Sequence, residues 1–294
     1  MAKIQNERTA NARVVRLGGR EFVAEGLNLS FWTDFSHRCM TASWPAFIGG
    51  AALVFVAFNA FFATFYWIGD QPISNVPSGD YIDYFYFSIE TLSTAGYGDM
   101  HPQTHYGHFV AAIELFTGIF SMSLMTGLIF ARFSRPSARL LFANSPVISN
   151  HEGAPTLMIR FANERQNIIG NATARLWMFK NIVTAEGQPF RRFYELPLLR
   201  NESPALALSW TLHHVIDETS PLFGTSPEEL EAGDVSLMVV VSGYDVVAAQ
   251  TVHARKPYQH SDFRFGHRYV DVLSISDDGR VRIDYGRFHD TFEA

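Results

Sequence analysis

Twenty-five consecutive residues, Trp44 to Ile68, carry no charged side chain and are rich in Phe, Ala and Val. At about 1.5 Å of rise per residue, a helix of that length crosses a hydrocarbon layer roughly 30 Å thick. Trp44 at one end and Tyr66-Trp67 at the other supply rings that favour the two water–lipid boundaries. The stretch predicts a transmembrane helix, and every other segment has to be compatible with a bilayer. Phe109 to Ala131 predicts a second span, interrupted only by Glu114 and followed by Arg132, Arg135, Pro136 and Arg139. The proline stops the helix, and the arginines belong at the membrane surface.

Between the spans, Asp80 to Ser93 reads as a helix with Asp80 as N-cap and Asp83 in its first turn. It is too short to cross, which predicts a re-entrant pore helix leading straight into Thr94-Ala95-Gly96-Tyr97-Gly98. Irregular backbone at membrane depth is tolerated only where protein shields it or where it lines a cavity. The two glycines let the chain alternate between conformations closed to other residues, turning its carbonyls toward one axis. There they can replace the water around a dehydrated potassium ion. The expected K+ ligands are the backbone carbonyls of Thr94, Ala95, Gly96 and Tyr97, with Ala95 and Tyr97 side chains packed behind this filter. One loop supplies a quarter of such a cage, so four chains are required. The helix C-terminus, partially negative, favours a cation in front of it. Glu90 is expected behind the filter near Asp99, where a buried carboxylate must be paired, hydrogen-bonded or protonated.

Gly69 to Gln103 contains five acidic residues and no Lys or Arg, whereas six basic residues precede the first span. The positive-inside rule then places both termini in the cytoplasm and the filter loop at the outer face. No span carries arginines at every third position, so no voltage sensor is expected. The first 28 or so residues are polar, and no cleavable leader is expected. Their short Arg13–Leu17 patch reads as a strand added to a sheet elsewhere. Leu29 to Thr41 mixes Phe31, Trp32 and Phe35 with Asp34, His37 and Arg38 at helical spacing, as a helix lying in the membrane interface does. From about residue 138 the chain turns to alternating stretches such as Thr156–Phe161, Val235–Val241 and Arg280–Tyr285, separated by turn residues, which predicts a β-sandwich. The expected domains are 1–43, an N-terminal arm and interfacial helix; 44–136, the pore; and 137–294, the sandwich.

Composition removes other classes. A net charge of −6 does not call for a nucleic-acid partner. The single cysteine, Cys39, excludes an intrachain disulfide framework and a Cys-based metal site. The eleven His show no metal-ligand spacing, and no catalytic constellation appears, so an enzyme is not expected.

Several further stretches resemble one family. His214-Val215-Ile216-Asp217-Glu218-Thr219-Ser220-Pro221-Leu222, Gly266-His267-Arg268-Tyr269 and Asp284-Tyr285-Gly286-Arg287-Phe288-His289 are similar to segments of the inwardly rectifying potassium channels, in particular their prokaryotic KirBac branch. Ala131-Arg132-Phe133-Ser134-Arg135-Pro136 is similar to that family's membrane exit, and the motifs keep family order from about Ser30 to Phe292. The resemblance implies a homotetramer in the bacterial inner membrane. It also implies an immunoglobulin-like cytoplasmic domain and potassium conduction gated from inside.

Gly118, Met122, Thr126 and Phe130 recur at four-residue spacing on the second span. The resemblance places Gly118 at a flexible glycine, Met122 at the cavity position where strong rectifiers carry Asp, and Phe130 at a cytoplasmic constriction. Glu114 either attracts cations toward the pore or only bonds to the pore helix. In eukaryotic relatives the Glu matching Glu90 pairs with an Arg, where this chain has Met100. Gly243-Tyr244 and Ala248-Ala249 match the loop that narrows the cytoplasmic pore, and Glu186 matches an acidic ring position whose companion is Ser242 here. Arg132, Arg135 and Arg139 read either as plain topology signals or as a site for anionic lipid headgroups of the phosphoinositide kind. No cofactor is expected beyond permeant K+, with block by Mg2+, Ba2+ or polyamines. Two alternatives stay open: a weakly rectifying cation channel, and a membrane-anchored β-sandwich that binds a ligand.

Overall fold

A computed structural model of the chain describes residues 13–17, 20–24, 35–135, 138–165, 167–275 and 279–294. The expected arm before residue 13 and the beginning of the interfacial segment, including Phe31, Trp32 and Asp34, lie outside the described residues. The chain divides into two compact units, one built on Asn28–Arg135 and the other holding the sandwich and the N-terminal strands. Strand β1 (Arg13–Leu17) pairs antiparallel with β2 (Arg20–Ala24). The sheet expected to receive β1 is thus its own hairpin partner.

In the first unit, a short helix α1 (Phe35–Thr41) precedes α2 (Trp44–Ile68), the first span. Ser43 caps α2 by accepting a hydrogen bond from the Ala46 N–H at 3.4 Å, and Pro45 occupies the first turn, where its missing N–H costs nothing. The pore helix α3 (Tyr81–Leu92) and the second long helix α4 (His105–Phe133) follow. Asp80 stands at the N-cap of α3 but makes no cap bond; the Asp83 carboxylate instead accepts from the Ser78 N–H and hydroxyl at 2.9 and 2.7 Å. Helix α4 begins four residues before its apolar run, because the Thr104 hydroxyl caps it through the Gly107 N–H at 3.0 Å. Both long helices are apolar enough to span a bilayer.

Each of α2, α3 and α4 buries only one stripe. On α2 it is Asn59, Phe62, Ala63 and Tyr66; on α3, Tyr84, Phe87, Ser88 and Leu92; on α4, Gly107, Val110, Ala111, Glu114 and Gly118. These i, i+3, i+4, i+7 spacings are the faces a straight helix presents to one neighbour. The remaining surface is apolar and open, as a lipid or protein partner requires. A two-residue ladder of β3 (Ile73–Ser74) with β4 (His101–Pro102) ties the loop before α3 to the segment after the filter.

The second unit is a sandwich of two five-stranded sheets. The strands in chain order are β5 (Leu140–Phe142), β6 (Val147–His151), β7 (Ala154–Asn163), β8 (Ile169–Val183), β9 (Pro189–Leu196), β10 (Glu202–Leu206), β11 (Ser209–Val215), β12 (Ser236–Asp245), β13 (Gln250–Gln259) and β14 (Arg264–Phe265). One sheet runs β10-β8-β12-β13 with β9 on β8; the other runs β11-β7-β6-β14 with β5 on β7. A six-residue helix α5 (Pro227–Ala232) connects them, closed by a Ser226/Glu229 capping box. Alternate residues of β8 (Ala172, Ala174, Leu176, Met178) and β12 (Leu237, Val239, Val241) meet Leu157, Ile159 and Phe161 of β7 and Trp210 and Leu212 of β11 in the core. Strand β7 is buried on both faces: its other register, Met158, Arg160 and Ala162, lies toward the C-terminal segment. That segment pairs β15 (His267–Tyr269) with β18 (Thr291–Glu293) and β16 (Leu273–Ile275) with β17 (Val281–Ile283), and sets Val272 and Phe288 against Ala143 and Ala162.

Candidate functional site

Helix α3 stops at Leu92, and the chain turns sharply into the filter segment. The Thr94 N–H bonds to the Thr91 carbonyl at 3.1 Å, and the Ala95 and Gly96 N–H groups both return to the Glu90 carbonyl, at 2.8 and 3.4 Å. The peptide bonds of the described residues are all trans, and in a trans unit C=O points opposite N–H. The carbonyls of Thr94 and Ala95 therefore point away from the helix end. Positive φ recurs at every second residue, Thr94 (60°), Gly96 (57°) and Gly98 (88°). The two glycines meet that demand freely, but Thr94 is β-branched and strained there. Side chains of Thr94 to Asp99 are exposed within one chain, Tyr97 by 78%. Asn75, itself at φ 60°, donates from Nδ2 to the Asp99 carbonyl at 2.8 Å and so pins the outer end of the segment. Glu90 is half-buried, and among the described residues its carboxylate meets no donor or cation.

Glu114 does not line an opening. It is fully buried, with the Tyr66 hydroxyl donating to Oε2 at 2.6 Å and the Ser88 hydroxyl bonded to Oε1. Of its two readings, the bond to the pore helix is the one the geometry has. Gly118 is also buried, because a Cβ there would lie 2.1 Å from the Leu92 carbonyl oxygen. It is the point where α4 touches the end of the pore helix. Four-residue steps overshoot a helical turn by about 40°, so Phe130 is rotated about 120° from Gly118. Met122, Thr126 and Phe130 are accordingly exposed while Gly118 is not.

Past the span, Arg132 is occupied. Its guanidinium donates to the carbonyls of Cys39 and of Ala42, the latter at 2.8 Å, and lies over the Trp44 and Phe47 rings at 4.6 and 4.5 Å. Arg135 donates to the Met40 carbonyl at 2.6 Å. Both cations thus cover the negative C-terminal end of α1. Arg135 and Arg139 are exposed, and Arg132 is half-buried.

In the sandwich unit, Glu186 is exposed at the tip of the β8–β9 hairpin, and the Thr184 hydroxyl holds its carboxyl below the ordinary value. Gly243 sits at a bulge of β12, where a Cβ would meet Ile169 Cγ2 at 2.5 Å, so it is packed against β8 rather than presented. Tyr244 and Ala249 are exposed, and between them the buried Asp245 accepts from the Val247 and Ala248 N–H groups at 2.9 and 3.1 Å. That turn pushes out Val246 and Val247, which are 59% and 81% exposed and were not singled out from the sequence.

The His214 stretch is built as one unit. His214 Nδ1–H donates to the Pro197 carbonyl at 2.8 Å, so Nε2 accepts from the Ser220 hydroxyl, also at 2.8 Å. Burial lowers the His214 pKa below 6.5, and burial followed by the neighbouring His151 lowers that of His213. Below pH 6.5 the unfolded chain then binds more protons than the folded one, so stability falls as pH drops toward the lowered folded-state values. Amide exchange of residues 209–222, corrected for intrinsic rates, is expected to show clearly weaker protection at pH 5.5 than at pH 7.5. Equal protection would contradict it.

Two long helices around a re-entrant helix and a glycine-containing filter, joined to a β-sandwich, define a pore-forming channel subunit. Residues 140–294 match the inward rectifier potassium channel C-terminal domain, and residues 53–135 match a family described as ion channel. The inward rectifier potassium channel Kirbac3.1 of Paramagnetospirillum magnetotacticum is 37% identical over 93% of this chain and 93% of its own length. Human inward rectifier potassium channel 18 is 28% identical over 99% of this chain and 73% of its own length. Human inward rectifier potassium channel 4 is 33% identical over 76% of this chain and 53% of its own. The chain belongs to the inward rectifier potassium channels, and to their KirBac type.

Proposed function

We propose that four copies of this chain surround one axis and conduct dehydrated K+ through stacked carbonyls of Thr94, Ala95, Gly96 and Tyr97. The observation that carries this reading is the filter backbone, with φ positive at every second residue and two amides anchored on the Glu90 carbonyl. Neighbouring copies would cover Tyr97 and the open faces of α4. Four Phe130 rings, 72% exposed in one chain, would close the cytoplasmic end by dewetting. With Met122 in the cavity, and with Ser242 paired to Thr173 on β8, ten residues along that strand from Val183 and so remote from the hairpin tip that carries Glu186, internal Mg2+ or polyamine block is weaker than in channels carrying acids at those positions. The protein sits in a bacterial inner membrane with both termini cytoplasmic, and anionic headgroups meet the exposed Arg135 before the occupied Arg132.

Purified protein in liposomes is expected to take up rubidium, with barium blocking. Sodium entering at the same rate would overturn the selectivity.

A further inference from the structure

The buried stripes of α2, α3 and α4 each contribute polar groups to one spot. Tyr66 Oη donates to Glu114 Oε2 at 2.6 Å. Ser88 Oγ lies in hydrogen-bond contact with Glu114 Oε1 and, at 3.1 Å, with Asn59 Oδ1. Asn59 Nδ2 donates to the Phe55 carbonyl at 2.7 Å, which fixes the orientation of that amide, since a flip would set oxygen against oxygen. Asn59, Ser88, Tyr66 and Glu114 are all fully buried. Among the described residues no Lys, Arg or His pairs with Glu114.

The donors can be counted. Ser88 Oγ has one hydrogen but faces two acceptors, Asn59 Oδ1 and Glu114 Oε1. With a carboxylate, one of those contacts is oxygen against oxygen with no hydrogen between, in a site shut off from water. With a carboxylic acid the chain closes: Glu114 Oε1–H donates to Ser88 Oγ, Ser88 donates to Asn59 Oδ1, and Asn59 donates to Phe55. Every buried polar group is then satisfied, and no bare charge is held at membrane depth.

We infer that Glu114 is held as the neutral carboxylic acid and in that form is a positioning residue, clamping the pore helix to both spans. Ser88 lies on α3 less than two turns before Leu92 and the filter, and Gly118, one turn after Glu114, touches Leu92 directly. The clamp therefore fixes the helix end from which the Glu90 carbonyl holds the filter amides. The inference rests on the reading of Thr94 to Gly98 as a potassium filter.

Two measurements test it. The infrared difference between wild type and Glu114→Gln in lipid vesicles should contain the C=O stretch of a protonated carboxyl; a difference made only of carboxylate bands would overturn the protonation state. In flux assays Glu114→Gln should keep the wild-type preference for rubidium over sodium, because a Gln amide donates to Ser88 and accepts from Tyr66. Ser88→Ala and Glu114→Leu, assembled to the wild-type size, should lower that preference about tenfold, the lower end of the loss expected when an outer-shell support of an ion site is removed. Loss in Glu114→Gln equal to that in Glu114→Leu, or full preference in both Ser88→Ala and Glu114→Leu, would overturn the positioning role. Wild type that takes up no rubidium would instead overturn the channel reading and leave the infrared result standing.

Discussion

Replacing Gly96 with Asp is expected to abolish rubidium uptake while leaving the β-sandwich folded. Gly96 holds φ 57° in the middle of the filter, a conformation that costs an L-residue about 1–2 kcal/mol. A Cβ at Gly96 meets nothing within 4 Å in its own chain, so the penalty there is conformational. In the proposed tetramer the larger effect comes from the ring: four added carboxylates would crowd one narrow axis, where they repel each other and trap a cation instead of passing it. Conduction needs binding that is favourable yet weak enough to release. Thr94 already sits strained at φ 60° two residues before, so the segment has little spare tolerance. Gly96→Ala separates the two causes, since it adds the backbone penalty without the charge and should leave partial uptake. The check is uptake in liposomes beside amide exchange of the sandwich strands. Normal rubidium uptake by Gly96→Asp would remove the filter assignment.

The spans were legible because lipid imposes a requirement that a single stretch of chain must satisfy alone. Trp44–Ile68 has the bounds its charge-free run predicts. Where a role depends on two distant segments, periodicity reported a face and nothing more. Asn59, Ser88 and Glu114 lie in turn 29 and 26 residues apart along the chain, and only the packed helices bring them together. Asn59 still carried a signal: an amide inside an otherwise apolar span needs a partner there. Gly118 looked equivalent to Met122, Thr126 and Phe130 because a four-residue step resembles a helical turn over one repeat and drifts over three. Asn75 gave no sign in a Pro/Gly/Asn/Ser loop, since its bond to the Asp99 carbonyl crosses the filter. The C-terminal motifs were legible as a resemblance, but their reason is structural and lies on β7.

That reason supplies the second large effect. Arg160→Met is expected to destabilise the sandwich unit by about 3–5 kcal/mol, the sum of two hydrogen bonds from a charged donor at about 1.5–3 kcal/mol each with part recovered by relaxation. Arg160 is 5% exposed on the outer face of β7. Its guanidinium donates to the Val270 carbonyl at 2.7 Å and to the Phe288 carbonyl, between the Tyr269 and Phe288 rings at 4.6 and 4.7 Å. Tyr269 belongs to the Gly266–Tyr269 motif and Phe288 to the Asp284–His289 motif, so both stretches are cradles for one cation. Burial lowers the Arg160 pKa, offset by Tyr269, Asp271 and Asp290 around it. Met keeps much of the volume and the ring contacts but leaves two buried carbonyls without donors. Lys would keep the charge, yet a single ammonium lacks the planar fork that reaches both oxygens while stacked between rings. Arg160→Lys should therefore fall between wild type and Arg160→Met. Denaturant unfolding followed with amide exchange of residues 267–294 reads both. Unfolding of Arg160→Met within about 1 kcal/mol of wild type, the range of an ordinary surface change, would show that the C-terminal segment is held by its strand pairs and not by this cation.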